Sequence, residues 1–173
     1  MPSHFERVFE AQHQKAEGYH ALLPDTDDLA LMTLKGHLVL EELLFDLAST
    51  HCRTPAHLEK AKLSFAQLLH VTRSLVSVPI PDEAWQALAM LNAIRNALAH
   101  RLQPQDIDKK VDALYQLCLI GLEPLPPEYV RPSLPARVVE ECVYSLIGAL
   151  TVFNGFSKVL AGPEAGGQRS GDA

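Results

Sequence analysis

Arg95, Asn96 and His100 fall within six residues of one another, in the run Leu91-Asn92-Ala93-Ile94-Arg95-Asn96-Ala97-Leu98-Ala99-His100. Arginine presents a planar, permanently charged fork that grips oxyanions, and histidine exchanges protons near neutrality. On a helix turning about 100° per residue, Leu88, Leu91, Ile94, Leu98 and Leu102 form one apolar arc, and Arg95 lies inside it. A charge in such an arc is costly unless a partner satisfies it. Ala89, Ala93, Asn96, Ala97 and His100 lie roughly opposite, where the alanines let another helix approach closely. Asn96 and His100 are one turn apart and point the same way. Two readings follow from these residues. In the structural one, Arg95 snorkels at the bundle edge and His100 helps close the helix C-terminus. In the chemical one, both act on a ligand, but on a single helix they point apart, so a second copy must supply the convergence.

Other polar groups are weaker candidates. Glu41 or Glu42 on the preceding long helix is placed to pair with Arg95, and solvation of at least one of them is the alternative. His37, on the same helix, reads as a partly buried structural histidine. Glu10-x-x-His13 and Glu17-x-x-His20 have the spacing of di-iron ligands, but such sites draw their pairs from different helices. Here both pairs share one helix, about 10 Å apart along its axis, which reads as a solvated face. His51, Cys52 and His57 lack a complementary fourth ligand and read as loop residues. No metal and no cofactor is expected, and neither a P-loop nor a GxGxxG occurs.

The elements that position these residues are helical almost throughout, since the apolar periodicity is near 3.6 and no sustained alternation appears. A first helix is predicted from about Ser3 to Leu22, closed by Pro24. The next opens at Asp25-Thr26-Asp27-Asp28, which suits a helix N-terminus, and runs to about Ser49. A third runs from Pro55, with Thr54 as a candidate cap, to Val71 and raggedly to Leu75. Val78-Pro79-Ile80-Pro81 breaks the chain before a fourth helix from Asp82 to about Arg101. A fifth covers Gln105 to Ile120, a proline-rich connector spans 124–135, and a last helix covers Ala136 to Leu160. The predicted organisation is one domain over residues 1–160 and a disordered tail over 161–173.

The 173 residues suffice for one buried core. A net charge of −6 argues against a general nucleic-acid coat or a polybasic membrane binder. Three cysteines, Cys52, Cys118 and Cys142, without a CxxC, fit neither a disulfide framework nor a zinc ribbon. The N-terminal residues lack the basic flank and apolar run of a signal peptide. The apolar stretch from Leu146 to Leu160 is interrupted by Asn154, Ser157 and Lys158, and reads as too short and too polar to span a bilayer. A soluble, cytoplasmic protein is expected.

The run ending at His100 resembles the signature of the HEPN superfamily: an arginine, a polar residue that is often asparagine, three further residues, then histidine. The preceding order is similar too, with a leucine- and glutamate-rich helix around Gly36-His37-Leu38-Val39-Leu40-Glu41-Glu42-Leu43-Leu44 and a short helix around Lys62-Leu63-Ser64-Phe65. The resemblance covers roughly Asp25 to Ile120. It implies an all-α, HEPN-like helical bundle with additional N- and C-terminal helices, dimerising through its motif helices. The composite cleft would hold two copies of Arg95 and His100, supported by Asn96. Active members are metal-independent endoribonucleases of the toxin or phage-defence kind, some controlled by a cognate antitoxin or a nucleotidyltransferase; silent members bind RNA or protein. The implied partners are a second copy and an RNA substrate, with no membrane. Where some family toxins carry a modifiable tyrosine two residues after the histidine, this chain has Leu102, so that control is not expected.

Overall fold

The computed structural model describes residues 2–100, 104–120 and 126–162. The fold is all-α, with seven helices and no strand among the described residues: α1 His4–His20, α2 Leu29–His51, α3 Pro55–Lys60, α4 Phe65–Leu75, α5 Asp82–His100, α6 Ile107–Leu119 and α7 Pro135–Ala161. Local chemistry sets most of the starts. Ser3 and Glu6 form a reciprocal capping box on α1. The Asp28 carboxylate accepts the Ala30 and Leu31 N–H groups at 2.8 and 3.1 Å, satisfying two orphan donors of α2.

The helix expected from Pro55 through Val71 is two helices. α3 ends at Lys60, Lys62 takes a left-handed φ of 48°, and Ser64 with Gln67 builds a second capping box that restarts the chain as α4. Pro55 does open α3, but Thr54 forms no capping bond. α6 begins two residues later than expected, after Asp106 in a left-handed conformation. The expected reach of α5 to Arg101 and the position of Leu102 lie outside the described residues; of the tail expected over 161–173, Ala161 instead ends α7 and Gly162 caps it, and 163–173 lie outside the described residues.

α2 is the central helix. It packs most extensively on α7, then on α4 and α5, while α1 lies on α7 and α6 bridges α5 and α7. One hydrophobic cluster draws on α1, α2, α4, α5, α6 and α7, with Met32, Leu40, Leu44 and Leu47 of α2 meeting Val139, Val143 and Ile147 of α7 in it. Gly36 allows the close approach of these two helices: a Cβ there would fall 2.6 Å from Val143 Cγ2. α7, at 27 residues, is long and apolar enough by length and composition to cross a membrane, contrary to the expectation drawn from the shorter stretch 146–160. A core helix meets the same criteria, and one side of α7, from Val138 through Leu150, is buried in the bundle.

The polar residues that interrupt that stretch have partners. Asn154, fully buried, donates from Nδ2 to Asp46 Oδ2 at 2.5 Å and accepts from Thr50 Oγ1 at 3.1 Å. Lys15 of α1 and Lys158 of α7 reach the same carboxylate at 2.9 and 3.4 Å. Burial alone pushes the Asp46 carboxyl up, but the two lysines and Asn154 outweigh it and hold it below its ordinary value. Ser157 meets His51 Nε2 at 3.0 Å. These bonds pin α1, α2 and α7 together.

Candidate functional site

α5 starts where Asp82 and Glu83 complement the helix dipole, and Trp85, Leu88, Leu91 and Ile94 are buried. Burial of these side chains fixes the rotation of the helix. Leu98 is partly buried against the core, continuing the expected arc. The opposite face is open: Ala89 and His100 are exposed, and Ala93, Asn96 and Ala97 partly so. One helical face therefore presents alanine, asparagine and histidine, left open by the described residues.

Arg95 sits at the edge between the two faces, half-buried. Its Nη1 donates to Asn96 Oδ1 at 3.1 Å. Among the described residues it forms no ion pair with a carboxylate. The pairing expected with Glu41 or Glu42 is thus not how Arg95 is held here. Glu41 is partly exposed on the wall of a groove of about 380 Å³, shared with Leu38, Phe45, Leu58, Leu63 and Leu68. Glu42 also lines that groove and stands beside the Tyr19 phenol, which burial first and the glutamate second push well above its usual range. Asn96 therefore has a concrete task, orienting the guanidinium from the neighbouring position.

His100 is the last described residue of α5 and is exposed. Within one chain nothing brings it to Arg95, as the wheel anticipated.

A second polar pair lies beneath Arg95. His37 of α2 is 5% exposed, and its Nε2 is 3.1 Å from Asn92 Oδ1 on α5. The ring stacks at 4.2 Å on Phe65, the first residue of α4. Burial is the chief cause that lowers the His37 pKa, the Arg95 charge adds to it, and the Asn92 bond and Glu41 oppose it. The ring is neutral at neutral pH, with Nε2–H donating to the Asn92 amide oxygen. His37 is the structural histidine expected from the sequence, whereas Asn92 was not singled out. Its signal was available: Asn92 borders the apolar arc of α5 as His37 borders that of α2, and two polar residues on facing arcs call for each other.

The remaining candidates stay apart. His13 pairs with Glu17 at 3.5 Å on an exposed face of α1, with both side chains about two-thirds exposed. His57 is exposed on α3 while His51 bonds Ser157. Among the described residues no group of three or more His, Cys, Asp or Glu side chains is arranged to hold a metal ion. Cys52, Cys118 and Cys142 are free thiols. Comparison of the chain with family models, with curated proteins and with solved structures gives no match.

Proposed function

We propose that two copies of this chain form a metal-independent endoribonuclease of the HEPN type, with Arg95 and His100 catalytic and Asn96 supporting. The observation that carries this reading is the condition of Arg95. Its guanidinium is half-buried and bonded to a neutral amide, and no carboxylate among the described residues pairs with it. Such a group is prepared for an anionic ligand and, in a partly desolvated position, binds it more strongly than a surface lysine would. An exposed histidine one turn beyond Asn96 supplies a group for proton transfer.

In this mechanism the RNA 2′-hydroxyl loses its proton to His100, and its oxygen attacks the adjacent phosphorus. Arg95 holds the negative charge that accumulates on the phosphorane oxygens. The P–O5′ bond breaks and the leaving oxygen takes the proton that His100 removed from the 2′-hydroxyl. The products are a 2′,3′-cyclic phosphate and a 5′-hydroxyl. Because Arg95 and His100 diverge on one helix, the cleft draws on both copies. A cytoplasmic toxin or phage-defence role, with a cognate antitoxin or another regulatory partner, fits this chemistry.

The test is cleavage of a defined RNA by the purified protein, with and without a chelator. Cleavage that survives the chelator and is lost in His100→Ala supports the assignment; equal rates in parent and His100→Ala refute it. A second reading is a silent dimeric adaptor that binds RNA or protein, favoured by the net charge of −6, which is unhelpful to an RNA-binding surface. It predicts no cleavage, together with a change in dimer stability when Arg95 is replaced.

A further inference from the structure

The outward side of α2 carries an apolar stripe that the described residues leave partly open, its Leu38–Phe45 half forming one wall of the groove bounded by Leu58 and Leu63. Leu31, Leu34 and Leu38 are 39%, 43% and 51% exposed, and Phe45 lies partly exposed two turns beyond Leu38. At about 100° per residue, Leu31, Leu34, Lys35, Leu38, Glu41, Glu42 and Phe45 share an arc about 120° wide. Met32, Leu40, Leu43, Leu44 and Leu47 point the other way, into the core. Single exposed leucines are ordinary, but a heptad-spaced row at 31, 38 and 45 with Leu34 beside it has the form of a helix-packing seam.

The order of residues around Leu38 identifies the occupant. Leu31 and Phe45 each stand seven residues away, about 10.5 Å along the axis in opposite directions. Lys35 lies three residues before Leu38 and Glu42 four after it, and both fall on the same rim of the stripe, about 20° apart. Lys35, Glu41 and Glu42 have no ion-pair partner among the described residues. A parallel copy in register would set Glu42 against the partner's Glu41 and leave Lys35 beside the partner's Leu34. An antiparallel copy sets Lys35 beside the partner's Glu42. We propose that this face of α2 docks the same face of a second copy of the chain, antiparallel, about a two-fold axis at Leu38.

Leu38 then packs on the partner subunit's Leu38, Leu31 packs on the partner's Phe45, and Lys35 stands beside the partner's Glu42, every contact between unlike residues being made twice. Leu34 and Glu41 occupy the other rim, on the side of His37 and therefore of α5. A two-fold axis between the paired α2 helices carries both α5 helices to the same side of the pair. Arg95 of each subunit then flanks one shared cleft. The inference rests on the dimeric reading above and supplies the surface which that reading needs.

Sedimentation equilibrium of the full chain tests it. Parent protein is expected to dimerise and Leu38→Glu to be monomeric with unchanged helical circular dichroism, since Leu38 is half exposed in the single chain. Lys35→Glu should raise the dimer dissociation constant about tenfold or more, and Lys35→Glu with Glu42→Lys should restore it to within about threefold of the parent. Leu38→Cys should give a covalent dimer under diamide, beyond any formed by the parent with its native cysteines. A parent that stays monomeric to about 0.1 mM overturns the proposal. So does a dimer indifferent to Leu38→Glu but broken by Phe156→Glu, on the exposed face of α7, or a charge swap that fails to rescue. An α2 dimer that cleaves no RNA leaves this proposal standing and refutes the ribonuclease. A ribonuclease whose dimer ignores α2 does the reverse.

Discussion

His37 Nε2 and Asn92 Oδ1, 3.1 Å apart, form a polar bond between α2 and α5 directly beneath Arg95. The pair is expensive to break on one side. Asn92→Leu leaves a buried N–H without an acceptor, at a cost of about 1–3 kcal/mol, whereas the double replacement His37→Leu with Asn92→Leu should cost less than the sum of the singles. Urea unfolding of the four proteins measures the coupling. Strict additivity would show that the bond contributes nothing.

The same histidine sets a pH dependence. Its folded pKa lies below the ordinary 6.5, chiefly through burial, so the unfolded chain binds the extra proton first as pH falls. The stability from keeping this ring neutral is full above about 6.5 and is lost on acidification through the folded pKa. His20 and His51, also lowered by burial, act in the same direction. Stability should therefore fall as the pH drops below about 6.5, and His37→Leu should flatten that slope. An unchanged slope in the variant would remove His37 from the account.

Asn154 makes a separate prediction about the far side of α2. It is fully buried and divides its amide between Asp46 and Thr50. Asn154→Leu strips a partner from both, so destabilisation of about 2–3 kcal/mol is expected, measurable by denaturant titration. If the loss is below about 0.5 kcal/mol, water replaces the amide and the network does not pin α7.

Much of this was legible in the sequence because it is local. The helical period, the Asp28 cap, Pro55 at a helix start and the apolar arc of α5 are all settled within a turn or two of chain. The break after Lys60 was equally local, since Ser64-x-x-Gln67 is a capping signal, but the continuing apolar spacing from Leu58 to Leu69 masks it. What periodicity cannot give is which helix lies against which. Glu41 and Glu42 were placed on the right helix, yet the rotation of α2 against α5 brings His37, not a carboxylate, to α5. Asn154 and Lys158 looked like interruptions of an apolar helix until Asp46, more than a hundred residues away in the chain, was beside them.

Gly36 predicts an unusual sign. In an exposed helix Gly→Ala gains about 1 kcal/mol from helix propensity. Here the added carbon meets Val143 Cγ2 at 2.6 Å and Cγ1 at 3.2 Å, and Val143 is fully buried, so the helices must shift. Gly36→Ala should destabilise by about 1–3 kcal/mol net, and Val143→Ala should relieve part of the strain in the double variant. A Gly36→Ala protein more stable than the parent would show that α2 and α7 do not approach so closely.

The composite cleft predicts complementation between two inactive proteins. Arg95→Ala and His100→Ala should each cleave RNA poorly, and each should keep the parent's fold because Arg95 is only half-buried and His100 is exposed. When the two are mixed and subunits exchange, the shared cleft of a heterodimer holds one pair in which the arginine of one chain meets the histidine of the other. With half of the dimers mixed and one of the two Arg–His pairs restored in each, activity should recover to about a quarter of the parent's. Recovery demands that the catalytic pair come from different subunits. If activity instead stays at the level of the single variants, although exchange is confirmed with labelled subunits, Arg95 and His100 do not meet across the two-fold axis and the shared-cleft mechanism fails.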